Sequence, residues 1–114
     1  MTSQVAQWFA GAPATHYLKL VAVVSRLADA SEHDATWMIA QCQQLGPIGK
    51  AMSKDPKSPD PLTQSHYAEM GAWAVSAARD CRASKLPAVK YDLTQLAQYV
   101  QDFTDRLRTL GVTA

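Results

Sequence analysis

Leu86, Val89, Leu93, Leu96, Val100, Phe103, Leu107 and Leu110 follow one another at alternating steps of three and four residues. On a helix this spacing forms one continuous apolar seam. About 24 residues at 1.5 Å each make a rod of roughly 36 Å. A helix of this kind is marginal alone in water, so its seam needs a covering surface of similar length. The rest of the chain must supply that cover.

Three other stretches carry helical periodicity. From about residue 14 to residue 30, Tyr17, Leu20, Val21, Val24, Leu27 and Ala28 fall on one stripe. Ser31 then reads as an N-cap, with Asp34 three residues on, where a carboxylate meets the unpaired N–H groups of a helix start. A second helix follows, with Ala35, Met38, Ile39, Cys42 and Leu45 on its stripe and Gly46–Pro47 as its stop. Ile48, Ala51 and Met52 add at most one further turn before a Pro-rich loop over 54–61. Asp60 caps the third helix and Pro61 takes its first position. Thr63, Tyr67, Met70, Ala74, Ala77 and Cys81 form its stripe, and Gly71, Ala72 and Ala78 make it thin enough for a central position. The fourth helix begins near Pro87 and ends at Gly111. Ahead of all four, an arm over 1–12 carries Val5, Trp8 and Phe9 on one face and is broken by Gly11 and Pro13.

Short corners make consecutive helices antiparallel neighbours. The expected fold is therefore all-α: one domain over 1–114, an antiparallel up-down-up-down four-helix bundle with a short N-terminal helical arm. In that topology the corner near residue 31, with Asp29, Glu32 and Asp34, shares an end with the corner near residue 86, with Arg79, Arg82, Lys85 and Lys90.

Eleven Lys and Arg stand against ten Asp and Glu. That balance argues against a dedicated nucleic-acid binder. No apolar run approaches the roughly 18 to 20 residues of a membrane span, and no basic-then-apolar leader opens the chain. Cys42 and Cys81 are too few for a disulfide framework and read as buried packing thiols on their stripes. These features together predict a cytoplasmic protein.

A catalytic or metal centre needs clustered ligands or a nucleophile beside a base. His66 with Glu69 reverses the Glu-x-x-His order of di-metal bundles and has no second copy. Gly46-Pro47-Ile48-Gly49-Lys50 lacks the spacing and the hydroxyl of a phosphate loop. No cofactor and no metal site is expected. A small-molecule or metal-binding bundle, with its ligand between helices near His66, Tyr67 and Cys81, stands as an alternative.

The stronger lead is aromatic. Trp37, Trp73, Tyr91 and Tyr99 fall off or beside the predicted seams, and Trp8 lies on the arm. Trp and Tyr are enriched at binding hot spots. These five residues predict a non-catalytic protein–protein interaction module: an adaptor, inhibitor or small subunit with a protein partner, acting alone or as a homodimer. Trp73 is expected near water, because Glu69, Ser76 and Asp80 share its side of the helix.

One motif suggests an enzyme instead. Arg26 and His33 are separated by six residues across the first corner. This spacing is similar to the Arg-x(4–6)-His motif of the HEPN ribonucleases, which are also small helical bundles. The resemblance implies that Arg26 and His33 of two subunits meet to cleave RNA. Leu27 stands where that family usually has a polar residue.

Overall fold

The computed structural model describes residues 1–28 and 34–112, and among them there are helices and no strand. Six helices follow in order: α1 (Thr2–Trp8), α2 (Ala12–Ala28), α3 (Ala35–Gln43), α4 (Leu45–Ser53), α5 (Pro61–Arg82) and α6 (Leu86–Thr109).

The longest two helices, α5 and α6, pack side by side and end in the same way. At each C-terminus one residue turns left-handed, and two backbone bonds close the last turn. At α6 the turning residue is Gly111, with φ +76°; Val112 N–H donates to Leu107 C=O at 2.8 Å and Gly111 N–H to Arg108 C=O at 3.0 Å. At α5 it is Ser84, with φ +57°; Lys85 N–H donates to Asp80 C=O at 3.0 Å and Ser84 N–H to Cys81 C=O at 3.1 Å. Gly111 was legible as a helix stop. Ser84, which carries a Cβ in a conformation that disfavours one, was not.

The N-terminal ends also differ from expectation in part. Asp60 caps α5 as predicted, accepting from Thr63 N–H at 3.0 Å and from the Thr63 hydroxyl at 2.6 Å, with Pro61 in the first turn. Asp34 is itself the cap of α3, accepting from Trp37 N–H at 2.9 Å. Ser31, the expected cap, lies outside the described residues, as do Asp29 and Glu32 of the acidic corner.

The predicted stop at Gly46–Pro47 is no stop. Only Gln44 separates α3 from α4, and both residues sit in the first turn of α4. Pro47 is tolerated there because the first N–H groups of a helix have no intrahelical partner anyway. The glycines are there for packing. A Cβ on Gly46 would stand 3.2 Å from Ala78 Cβ; one on Gly49 would stand 2.5 Å from Gly71 O and 2.8 Å from Val75 Cγ2. The α4 and α5 backbones meet at Gly49 and Gly71, so α5 is thin where it must be.

The direction of each helix follows from its partners. Cys42 lies by Cys81, Gly46 by Ala78 and Gly49 by Gly71, so α3 and then α4 run opposite to α5. Arg26 bonds Gln41 while His16 bonds Asp55, so α2 runs opposite to α3 and α4. Tyr17 bonds Thr104 near the far end of α6. The core holds Leu20, Val23, Leu45, Met52, Tyr67, Met70, Ala74, Ala77, Leu96, Phe103 and Leu107. From the predicted seam, Val89, Leu96, Phe103 and Leu107 are buried, but Leu86 is 67% exposed. Among the described residues, Leu86 at the head of α6 is left largely uncovered, while Val89 one turn on is buried.

Candidate functional site: an apolar groove beside a disulfide

The two halves of the seam between α2 and α6 have different fates. Where the start of α2 meets the end of α6, α1 closes the gap. Phe9 packs between Tyr17, edge-on, and Phe103, tilted, with ring centres 5.5 and 5.6 Å away, and Trp8 meets Tyr67 edge-on at 5.0 Å. Where the end of α2 meets the start of α6, no side chain among the described residues fills the gap. Val24, Leu27 and Ala28 of α2, Met38 of α3, and Leu86, Val89, Leu93 and Ala97 of α6 line an open groove of about 730 Å³. Its polar lining comes from Lys90, Thr94, Gln98 and Gln101 on α6. A smaller apolar pocket of about 230 Å³ shares Leu27, Met38, Leu86, Val89 and Leu93 with it, and reaches Ala35, Ile39, Cys42 and Cys81.

Cys42 and Cys81 are bonded to each other, with Cα atoms 6.4 Å apart. This corrects the expectation of two free packing thiols. Both do lie on buried stripes, but the stripes belong to helices that cross with sulfur facing sulfur. The bond also withdraws one support for a cytoplasmic location, which rested partly on reduced cysteines, and it leaves Cys81 with no thiolate to offer a ligand site near His66 and Tyr67.

The aromatic residues do not gather into one surface. Trp8 belongs to the closed cluster, and its indole N–H donates to the Pro56 carbonyl. Trp37 is half-buried on α3. Trp73 is half-buried, with Tyr91 edge-on at 5.7 Å, and its indole N–H is buried without a hydrogen-bond partner. The sequence predicts Trp73 near water with its indole N–H wet; the N–H is instead buried, because α6 covers that side of α5: Ser76 bonds Asp92 at 3.1 Å, and Asp80 is buried beside it. Tyr99 is half-buried near His66, at 6.3 Å between ring centres. Tyr91 is the one of the five that is largely exposed.

Arg26 is exposed and directs its guanidinium at two amides: Nε donates to Gln41 Oε1 at 2.7 Å and a terminal nitrogen to Gln44 Oε1 at 3.3 Å. His33 lies outside the described residues, so its place relative to Arg26 is not part of the site.

Three polar clusters had no signal in the sequence, because their members are distant in the chain. Arg106 grips Asp60 through two bonds of 2.9 and 3.0 Å. That guanidinium, helped by Thr63, holds the Asp60 carboxyl well below the usual range although the residue is only 4% exposed. Asp55 Oδ2 accepts from His16 Nδ1 at 2.7 Å and from the Tyr67 hydroxyl, fastening the Pro-rich loop to α2 and α5. Burial and Asp55 push the Tyr67 hydroxyl far above its ordinary value. At the other end, burial and then the neighbouring Asp80 push Asp92 up to about 6. Asp80 is lowered by its hydrogen bond with Asp92 and by the charges of Arg79 and Lys85. Of the two acids, Asp92 takes up a proton more readily than an ordinary carboxyl and Asp80 less readily.

Among the described residues no group of three His, Cys, Asp or Glu could hold a metal ion, and no helix is long and apolar enough to cross a membrane. No protein-family model, curated protein or solved structure matches the chain.

Proposed function

We propose that the protein is a non-catalytic interaction module, and that its docking site is the open groove between α2, α3 and α6. The observation that carries this reading is the groove itself: aliphatic walls from three helices, with Leu86 67% and Met38 39% exposed. Exposed apolar residues gathered in a concave site mark interaction surfaces far better than scattered ones do. The expected partner element is an amphipathic helix, laid with its apolar face in the groove. The chain itself offers the pattern. Seven-residue α1 covers the other half of the same seam with Val5, Trp8 and Phe9. In this reading α3 and α4 act as one broken rod. With α2, α5 and α6 they make four rods running up, down, up, down, and the partner completes the edge between the first and the last. Aliphatic residues thus replace the aromatic set Trp8, Trp37, Trp73, Tyr91 and Tyr99 as the binding surface, and a second copy of the chain competes with a different protein as the occupant.

The test is site-specific photo-crosslinking in an extract of the native host. A photoreactive side chain at Ala97, an exposed lining residue, should capture a discrete partner, and one at exposed Ala68 on α5 should not. Leu86→Glu should abolish capture while leaving the fold intact. Equal capture from both positions, or capture indifferent to Leu86→Glu, sinks the reading.

A further inference from the structure

Resting on that reading, we infer that the Cys42–Cys81 bond is a redox gate on the groove. In the disulfide state α3 is held as a wall; in the dithiol state it is released.

Burial sets α3 apart from every other part of the groove. Cys42, 1% exposed, is its one fully buried residue. Ala35, Thr36, Met38 and Ala40 are exposed, and Trp37, Ile39 and Gln41 are half-buried. At the surface, Arg26 bonds Gln41 of α3 and Gln44 at its C-cap. The neighbouring elements are fixed independently. Beyond Gln44, α4 is anchored by Leu45, Gly46, Gly49 and Met52, all buried, and locked against α5 at Gly49 and Gly71. Cys81 sits on α5 among buried Ala77, Ala78 and Asp80. The bond therefore joins a largely exposed helix to the one with the most buried residues. What it holds in place is the wall made by Ala35, Met38 and Ile39.

The chemistry is thiol–disulfide exchange with a dithiol reductant. Cys81 is 6% exposed against 1% for Cys42, so attack is expected there. A reductant thiolate bonds to Cys81 Sγ, the Cys42–Cys81 bond breaks, and Cys42 leaves as a thiolate that takes a proton from water. The second thiol of the reductant then attacks its own sulfur in the mixed disulfide and releases Cys81. Two electrons pass to the protein, and the reductant becomes a disulfide. Compartments that keep thiols reduced and those that keep them oxidised would thus set two states of one binding site.

The experiment is hydrogen exchange by mass spectrometry on the whole protein, oxidised, reduced with dithiothreitol, and as Cys42→Ala/Cys81→Ala. It is run beside the Ala97 crosslink. Reduction should speed exchange of the 37–43 amides at least tenfold and leave the amides around Leu96–Phe103 unchanged. The double variant should match the reduced protein. Capture at Ala97 should be present in the oxidised protein and lost in the other two. Unchanged exchange over 37–43 overturns the gate whatever the crosslink shows. So does a rise in exchange across the whole of α6, since the bond would then hold the fold rather than one wall. Faster exchange of α3 with undiminished capture shows that α3 is no part of the site and overturns the regulation. An oxidised protein that captures nothing at Ala97 removes the groove reading, and the gate's role falls with it.

Discussion

The α5–α6 pair has one dry, aromatic end and one open, aliphatic end, built from the same two helices. At the start of α5 and the end of α6, Phe103 touches the rings of Trp8, Phe9, Tyr17 and Tyr67, and Arg106 closes over the capping carboxylate of Asp60. At the end of α5 and the start of α6, Leu86 lies bare, a serine holds the turn that glycine holds elsewhere, and burial beside Asp80 raises the Asp92 carboxyl. The first end is finished by the chain's own α1. The second is where stability has been left unclaimed, and binding sites are drawn from such low-stability regions.

The sharpest way to break this contrast is at Phe103. Phe103→Ala should cost about 3 to 5 kcal/mol in chemical denaturation, since four other rings converge on the cavity it would leave. A loss below about 1 kcal/mol would show that α1 does not seal that end.

Asp60→Ala comes next, at about 3 kcal/mol, because it leaves Arg106 half-buried without its partner and removes the cap of α5. The same residue governs behaviour in acid. Its carboxyl is depressed in the fold, so its contribution is complete above its ordinary value of 3.8 and is lost as pH falls further. Melting curves of wild type and Asp60→Asn should therefore converge in strong acid; parallel curves would remove the ion pair from the account.

Asp92 should act with the opposite sign. Its folded value, about 6, lies above 3.8, so the fold binds the proton more tightly than the unfolded chain does. Stability should rise as pH falls from about 7 toward 4, and Asp92→Asn should abolish that rise. A wild type and variant with the same pH slope across this interval would deny that the fold raises the Asp92 carboxyl.

The smallest effects belong to the open end. Ser84→Gly should gain about 0.5 to 1 kcal/mol by relieving a Cβ at φ +57°. Leu86→Glu should change stability by no more than about 0.5 kcal/mol, as exposed positions usually do. A melting loss of several degrees in Leu86→Glu would mean that the groove is filled in the free protein.

What the sequence disclosed and what it hid divide along this contrast. The buried part of the α6 seam, from Val89 to Leu107, was legible because periodicity reports which face is apolar. Leu86 was misread because periodicity cannot say where the covering surface ends. Asp60 as a cap was legible from Asp-Pro ahead of an apolar stripe. Its grip by Arg106, 46 residues away, was not. Gly46–Pro47 was misread because the same two residues serve as a stop signal and as the thin first turn of a close-packed helix. The cystine was missed for a related reason. Its 39-residue separation carries no signature, and its geometry depends on how α3 and α4 divide at Gln44. Of the five aromatic residues singled out, spacing placed Trp37, Tyr91 and Tyr99 off the main stripes, Trp73 on the flank of its own and Trp8 on the apolar face of the arm, but it could not foresee that α6 would bury the Trp73 indole N–H.

The crossing at Gly49 and Gly71 bears on how this chain can drift over time. Each glycine occupies space the other needs: a methyl at 49 runs into the backbone at 71, and one at 71 would press on Gly49 O at 3.3 Å and Met52 Cβ at 3.4 Å. Gly49 cannot accept a larger residue without separating the two helices, while Gly71 accepts a Cβ only if Gly49 and Met52 give by a few tenths of an ångström. A relative that keeps this crossing should keep glycine at the first position, so that glycine, with a small residue 22 further on, is a mark of kinship that survives after overall identity has faded.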